Sequence, residues 1–452
     1  MPDRGVTMTQ TIPFPFDDGM TETAPPLGPS PLASGDPQIS VDAARTLIAA
    51  ALKPVTETEV VPLDQALGRV LGADVISPID VPAHDNSAMD GFAFRGSELR
   101  QDADSAWRIA SLVMAGDPSP ATPPPGECVR IMTGAVMPAG LDTVVPLELC
   151  REAGAQVGER VLLAPGRLKP GENRRLRGED LSLGRPALAR GRILRPADLG
   201  LAASLGLTEL TVVRRLRVAL FSTGNELREP GQPLDPGCIY DSNRSSLSAA
   251  LRRLGVQVID LGLVADDPVA LQATLERAVR EADVVLTSGG VSMGDADYTR
   301  DLLARMGEVA FWKVAMRPGR PFAFGPLRRP ETGAAPAWLF ALPGNPVAAL
   351  VTFHAFAQEA LWQLAGATAA PVPRLTARSV APIRKRPGRT EYQRAIVEPA
   401  TDGGWQVRLT GSQGAGILRS MSEANALLVL GHDQGSVAAG EPVEVWLFDG
   451  LV

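Results

Sequence analysis

Thr287-Ser-Gly-Gly-Val-Ser-Met-Gly-Asp-Ala-Asp297 follows the apolar run Val284-Val285-Leu286 and precedes an amphipathic pattern from Tyr298 to Met306. This pattern predicts a buried strand that opens into a Gly-rich, hydroxyl-bearing loop and then a helix. Gly289, Gly290 and Gly294 admit dihedrals that other residues resist, and they leave N–H groups free to cradle an anion. Asp295 and Asp297, in the same turn, are candidates for holding a hard cation. An anion cradle beside a metal site points to phosphate or oxyanion chemistry. Taken alone, such a loop is as readily plain turn chemistry, so its neighbours decide.

From residue 216 onward, strand and helix signals alternate. Strands are expected at 217–221, 256–263, 284–287, 309–314 and 338–342, and helices at 245–254, 268–280, 297–306 and 347–364. Such alternation predicts a doubly wound α/β domain with a mostly parallel sheet, whose ligands bind beyond the carboxyl ends of the strands. Polar loops follow the successive strands: Ser222-Thr-Gly-Asn-Glu226, then Asp266-Asp267-Pro268, the opening loop, Arg317-Pro-Gly-Arg-Pro321 and Leu342-Pro-Gly-Asn-Pro346. Each has a bland reading. Asp266-Asp267-Pro268 and Asp241-Ser-Asn make good helix starts, Pro-Gly-Asn-Pro is a rigid turn, and Arg317 and Arg320 suit a solvated surface. Together they would have to reach one sheet edge without purpose. Neighbouring strands lie roughly 5 Å apart, so Asp266 and Asp297, at the ends of strands consecutive in the chain, are expected to share one Mg²⁺. Arg317 and Arg320 would then face anionic groups, which arginine forks suit.

Composition bounds the rest. A chain of 452 residues exceeds one core, and 45% hydrophobic residues suffice for several. A net charge of −7 argues against a general nucleic-acid binder. Three cysteines without close spacing and three scattered histidines give no disulfide framework and no zinc motif, which fits a cytoplasmic protein. No apolar stretch is long enough to span a bilayer.

Residues 1–37 read as a disordered tail, followed by a helix whose apolar stripe is Val41, Ala44, Leu47, Ile48 and Leu52, with Ser40 as its cap. Short β runs broken by Pro and Gly fill 57–183, a helix at 197–205 is expected to pack back on the first, and β runs resume after Pro371. The resulting division is a discontinuous elongated domain (38–56 and 184–215), an inserted β-rich domain (57–183), an α/β domain (216–370) and an all-β C-terminal domain (371–452). A second polar cluster sits in the N-terminal half: Asp85-Asn-Ser-Ala-Met-Asp-Gly91, Arg130-Ile-Met-Thr-Gly-Ala135 and Asn173-Arg-Arg-Leu-Arg-Gly-Glu-Asp180. Asx turns and a solvated basic face are its bland readings.

In order and spacing, these segments, with Asp241-Ser-Asn-Arg244 and Thr410-Gly-Ser-Gln-Gly414, resemble the molybdopterin molybdotransferases of the MoeA and gephyrin E-domain type, over about residues 40–450. The resemblance implies insertion of molybdenum from molybdate into adenylylated molybdopterin, with Mg²⁺ and release of AMP. It also implies four domains and a homodimer whose site lies between subunits. The adenylyltransferase of the preceding step and molybdoenzyme chaperones are implied partners; nucleic acid and membrane are not. Matched by motif, Asp85, Thr133, Asp180, Glu226, Asp266 and Asp297 would be catalytic, with Asp266 and Asp297 at the metal. Ser292, Lys313, Arg317, Arg320, Pro321 and Arg389 would bind the substrate.

The chain also departs from the family. Arg317 and Arg320 stand where the family often has Lys, Ala348 and Ala415 where it has Ser, and Ser412 where it has His. Loss of these hydroxyls leaves molybdate or tungstate open as the oxyanion, and the nucleophile at the AMP phosphorus is molybdate or water. Two other readings remain. One is a non-catalytic scaffold, which would not need the acids. The other is an adenylyltransferase, against which the additional N- and C-terminal domains argue.

Overall fold

The computed structural model describes residues 38–118, 121–289, 297–368 and 372–449. The expected tail (1–37) lies outside them, as do Ser292 and Asp295 and the side chain of Asp297. The chain divides into two compact units, one of residues 74–190 and 197–208, the other comprising the rest.

The larger unit contains the α/β layer. Its elements are β1 (Arg217–Thr223), α1 (Ser242–Arg253), β2 (Gln257–Val264), α2 (Pro268–Glu281), β3 (Val284–Ser288), α3 (Asp297–Met306), β4 (Ala310–Lys313), β5 (Pro321–Leu327), β6 (Ala337–Leu342), α4 (Pro346–Thr352) and α5 (Gln358–Leu364). The sheet order is β2-β1-β3-β6-β5-β4. The first four strands run parallel, whereas β5 is antiparallel to both β6 and β4. The sequence pattern did not flag β5, because Pro321-Phe-Ala-Phe-Gly-Pro starts and ends with strand-breaking residues. It serves as the return strand that points β4 in the same direction as β1.

Both faces of the sheet are covered, which accounts for the unbroken apolar runs. Val218, Leu220, Val284 and Leu286 face one core, and Ala219, Phe221 and Val285 the other. The helix expected at 347–364 is divided by a wider π turn at Phe353–Ala357. Phe353 and Phe356 are both buried there, and Phe356 stacks on Phe322 with centroids 4.9 Å apart.

The first helix, Val41–Ala51, is capped by Ser40 as expected. Its buried stripe belongs to the α/β core, against the segment carrying Phe353 and Phe356. Val41, Ala44 and Ile48 join the apolar cluster beside the sheet.

The C-terminal strands are β7 (Arg374–Ser379), β8 (Thr390–Pro399), β9 (Trp405–Leu409), β10 (Ala426–Leu430) and β11 (Pro442–Leu447). They close a ring, β8-β9-β7-β11-β10 and back to β8, around Ala395, Val407, Leu428 and Val445. This part is not wholly β: helix α6 (Leu418–Glu423) interrupts it, with Ser420 and Met421 buried.

The smaller unit is built on a mixed six-stranded sheet in the order Thr143–Pro146, Gly91–Phe94, Glu127–Ile131, Ser105–Val113, Arg160–Leu163 and Cys150–Ala153. Alternation along Phe92-Ala93-Phe94 sends the two rings to one core and the alanine to another.

Candidate active site

The loops beyond the carboxyl ends of the parallel strands meet around a cleft of about 860 Å³. Thr223–Leu227 follow β1, Asp266 follows β2, Ser288 and Gly289 end β3, Arg317–Gly319 follow β4, and Pro343–Pro346 follow β6. Gln413 and Ala415, from the barrel, form a further wall. The cleft thus sits where β2 and β3 diverge on either side of β1, the switch point at which such sheets bind ligands.

Polar residues fix the floor. Asn243, in the first turn of α1, donates from Nδ2 to Ser288 Oγ at 2.7 Å and to the Gly344 carbonyl at 2.6 Å. It therefore ties α1, β3 and the loop after β6 together. Asp241 caps α1 by accepting from the Arg244 N–H at 3.1 Å, and it also accepts from Ser222 Oγ at 3.2 Å. Arg244 is held in turn by Asp241, Asp260 and Glu229. Asp266 and Asn225 bond reciprocally: the Asn225 N–H donates to Asp266 Oδ2 at 3.3 Å, and the Asp266 N–H donates to Asn225 Oδ1 at 3.2 Å.

Two glycines are obligatory here. Gly289 has φ of +91°, and a Cβ there would lie 2.5 Å from the Thr223 carbonyl oxygen. Gly319 has φ of +98°, and its Cβ would lie 2.3 Å from Thr352 Oγ1. Close backbone approach at these points lets the loops meet.

Of the residues expected from sequence, Glu226, Asp266, Arg317 and Pro321 line the cleft. So do Ala348 and Ala415, both positions of departure from the family pattern, and the Val347 N–H donates to the Ala415 carbonyl at 3.1 Å. Lys313, Arg320 and Arg389 are not among the residues that line the cleft. Lys313 pairs with Pro321 across β4 and β5, and the Val314 N–H bonds the Arg320 carbonyl at 2.8 Å. Arg389 precedes the strand that runs beside Met316–Arg317, and it is ion-paired with buried Glu391 at 2.8 Å.

Asp266 and Asp297 do not follow neighbouring strands, contrary to the expectation from sequence. Strands β2 and β3 are consecutive in the chain but separated by β1 in the sheet, a gap of about 10 Å. Among the described residues, no group of three His, Cys, Asp or Glu is placed to hold a metal. Asn225, Asn243 and Gln413 line the cleft although sequence reasoning did not single them out. The signal for Asn243 was present in Asp241-Ser-Asn-Arg244, but helix capping accounted for that segment.

The smaller unit gathers Asp85, Thr133 and Asp180 into a separate cluster. Arg174–Arg175 pairs with Asn86–Ser87, and the Gly134 N–H donates to the Ser87 carbonyl at 2.9 Å, which brings the three N-terminal motifs together. Asp85 accepts from the Arg177 N–H at 2.8 Å and faces Arg174 at 3.5 Å. The Thr133 hydroxyl and N–H both donate to Asp90 Oδ1 at 2.7 Å, and these bonds hold the Asp90 carboxyl below its usual range. The Asp80 carboxyl is also held low, by the Leu183 N–H and then by Arg177. Asp180 lines a shallow cleft of about 530 Å³ with Val81, Pro82, Arg175 and Glu179.

Comparison with known proteins accounts for nearly the whole chain. Residues 39–206 match the MoeA N-terminal region (domain I and II), 219–363 a probable molybdopterin binding domain, and 376–448 the MoeA C-terminal region (domain IV). A molybdopterin molybdenumtransferase of Haemophilus influenzae is 39% identical over 92% of this chain and 100% of its own length. A gephyrin of Dictyostelium discoideum is 30% identical over 86% of this chain and 59% of its own. The crystal structure of a molybdopterin biosynthesis moeA protein from Pyrococcus horikoshii superposes with a TM-score of 0.76 at 27% identity, covering 91% of this chain and all of that one. By fold, this is a multidomain transferase with a cleft at its strand ends. The chain belongs to the MoeA family, the molybdopterin molybdenumtransferases, and has a role in molybdenum cofactor biosynthesis. Among the described residues, no helix is long and apolar enough to cross a membrane.

Proposed function

We propose that this enzyme inserts molybdenum from molybdate into adenylylated molybdopterin, with Mg²⁺, and releases AMP. The observation that carries the reading is the pairing of opposite charges around one cleft, with Asp266 and Glu226 on one side and Arg317 on the other. Among the described residues, neither Glu226 nor Arg317 has a side-chain ion pair. A ligand of complementary charge is proposed to satisfy them.

The residues fit the proposed ion. Mg²⁺ favours one or two carboxylates, with phosphate oxygens and waters completing its shell. Asp266 supplies one carboxylate, orients it through Asn225, and leaves Oδ1 free of described partners. Asp297 is the proposed second ligand. When bound, the ion neutralises the pyrophosphate and makes its phosphorus more electrophilic.

The remaining work falls to the chain itself. Arg317 binds phosphoryl or molybdate oxygens through its fork. The glycine turn at Gly289 admits an anion close to the backbone, and Asn243 keeps that turn in register with the loop after β6. Ser292, Lys313, Arg320, Pro321 and Arg389 are proposed to complete the oxyanion and pterin-phosphate region, and Asp85, Thr133 and Asp180 to act from the N-terminal cluster. The four-domain organisation, a cytoplasmic homodimer, and hand-over from the adenylyltransferase and to molybdoenzyme chaperones go with the same reading. The test is to incubate purified protein with adenylylated molybdopterin, molybdate and Mg²⁺, and to follow AMP and the reconstitution of an apo-molybdoenzyme. Stoichiometric AMP and recovered enzyme activity are expected; intact adenylylated substrate after prolonged incubation would refute the reading.

A further inference from the structure

Arg394, on β8, is the largest fully buried side chain of the described chain, and no carboxylate pairs with it there. Its guanidinium is bonded to neutral oxygens: Nε donates to Ser420 Oγ at 2.9 Å, and Nη2 donates to the carbonyls of Gly414 at 3.0 Å and Ser412 at 3.4 Å. Among the described residues, the charge that acts on it is another cation, Arg317. Burial, followed by that repulsion, pushes the Arg394 pKa down to about 10, so the group is still charged at neutral pH. A buried cation without a counter-charge is costly, and a fold retains one where something else supplies the counter-charge.

Its position says what does. The two carbonyls that Arg394 grips flank Gln413, a wall residue of the cleft. Gln413 is clamped to the same residue's backbone, accepting from the Arg394 N–H at 2.8 Å and donating to the Arg394 carbonyl at 3.1 Å. One residue beyond Gly414, the Ala415 carbonyl receives the Val347 N–H in the first turn of α4. Arg394 thus holds the barrel loop that supplies Gln413 and Ala415 to the strand-end cleft, and it brings positive charge to that loop. Resting on the functional reading above, we propose that Arg394 is a positioning residue that forms the buried positive end of an oxyanion site, with a doubly charged tetrahedral anion as its counter-charge. Molybdate and the phosphate of AMP share that chemistry.

The test uses the full chain, with binding measured separately from turnover. Arg394→Met removes the charge at similar volume, whereas Arg394→Lys keeps the charge and loses the fork. Titration calorimetry at fixed ionic strength with molybdate, with AMP and with neutral adenosine distinguishes the sources. For Arg394→Met, affinity for molybdate, for AMP or for both is expected to fall by about tenfold or more, with adenosine affinity unchanged. The anion that weakens identifies the counter-charge. Arg394→Lys should retain anion affinity while releasing AMP more slowly. Wild-type affinity for both anions in folded Arg394→Met would overturn the proposal, as would parallel loss of adenosine. If Arg394→Met does not fold, the wild-type protein decides: molybdate or phosphate must raise its melting temperature above chloride at equal ionic strength, and no rise overturns the proposal.

Discussion

The strand-end cleft and the N-terminal cluster contain the same residue types in opposite states. In the cluster, three carboxylates are engaged within the fold, Asp80 by Arg177 and Leu183, Asp85 by Arg174 and Arg177, and Asp90 by Thr133, while Asp180 is exposed beside them. In the cleft, Glu226 and Arg317 face the cavity without described partners, and Asp266 has only the weak bond from Asn225. Charges satisfied internally hold loops in shape, whereas charges left open are available for chemistry. This contrast gives the two regions separable roles, and substitutions can test it.

The largest effect should come from the cleft. Asp266→Asn keeps the reciprocal contact with Asn225 but removes the charge, and AMP release is expected to fall by roughly a hundredfold or more while AMP binding persists; a near wild-type rate would dissolve the contrast. Gly319→Ala comes next. Its left-handed backbone and the approach of Thr352 Oγ1 force the loop to move, costing about 1–3 kcal/mol of stability. Misplacing Arg317 by this route should lower the rate on the order of a hundredfold, as read by single-turnover kinetics. Asn243→Ala cuts the tie between Ser288 and Gly344, with about 1–2 kcal/mol lost in urea unfolding and a moderate loss of activity.

Asp283, away from both regions, gives a pH-dependent control. Burial raises its pKa, but hydrogen bonds from the Arg214 side chain and from the Arg217 N–H and side chain outweigh that and leave it below the ordinary value. Its stabilising contribution is therefore fully present well above pH ~4, the unfolded aspartate range, and is lost as pH falls through the lowered folded value. Urea midpoints between pH 7 and pH 3 should show this loss, and Asp283→Asn should flatten it. The smallest effect belongs to the cluster. Thr133→Val removes a hydroxyl bond that favours ionised Asp90, so its carboxyl titration should move up toward the usual range by NMR, with the fold intact.

Much of this contrast was legible in the sequence. The unbroken Val284-Val285-Leu286 run required a strand covered on both faces, and Asp241 and Asp267 announced the starts of α1 and α2. The loops therefore fell on one edge, and Glu226, Asp266 and Arg317 with them. Lateral strand order was not legible, because chain order does not say that β1 lies between β2 and β3. β5 was hidden by its prolines, and the partnership of Val41–Ala51 by the absence of any local mark of a distant surface. Arg394 was missed for the same reason: a buried arginine bonded to carbonyls leaves no signature in spacing.

The most direct test of the central claim is single-turnover AMP release from adenylylated molybdopterin with molybdate and Mg²⁺, compared across wild type, Asp266→Asn and Thr133→Val. AMP release is expected to be largely abolished in Asp266→Asn despite retained AMP binding, and to remain far less affected in Thr133→Val. Equal rates in wild type and Asp266→Asn would contradict it.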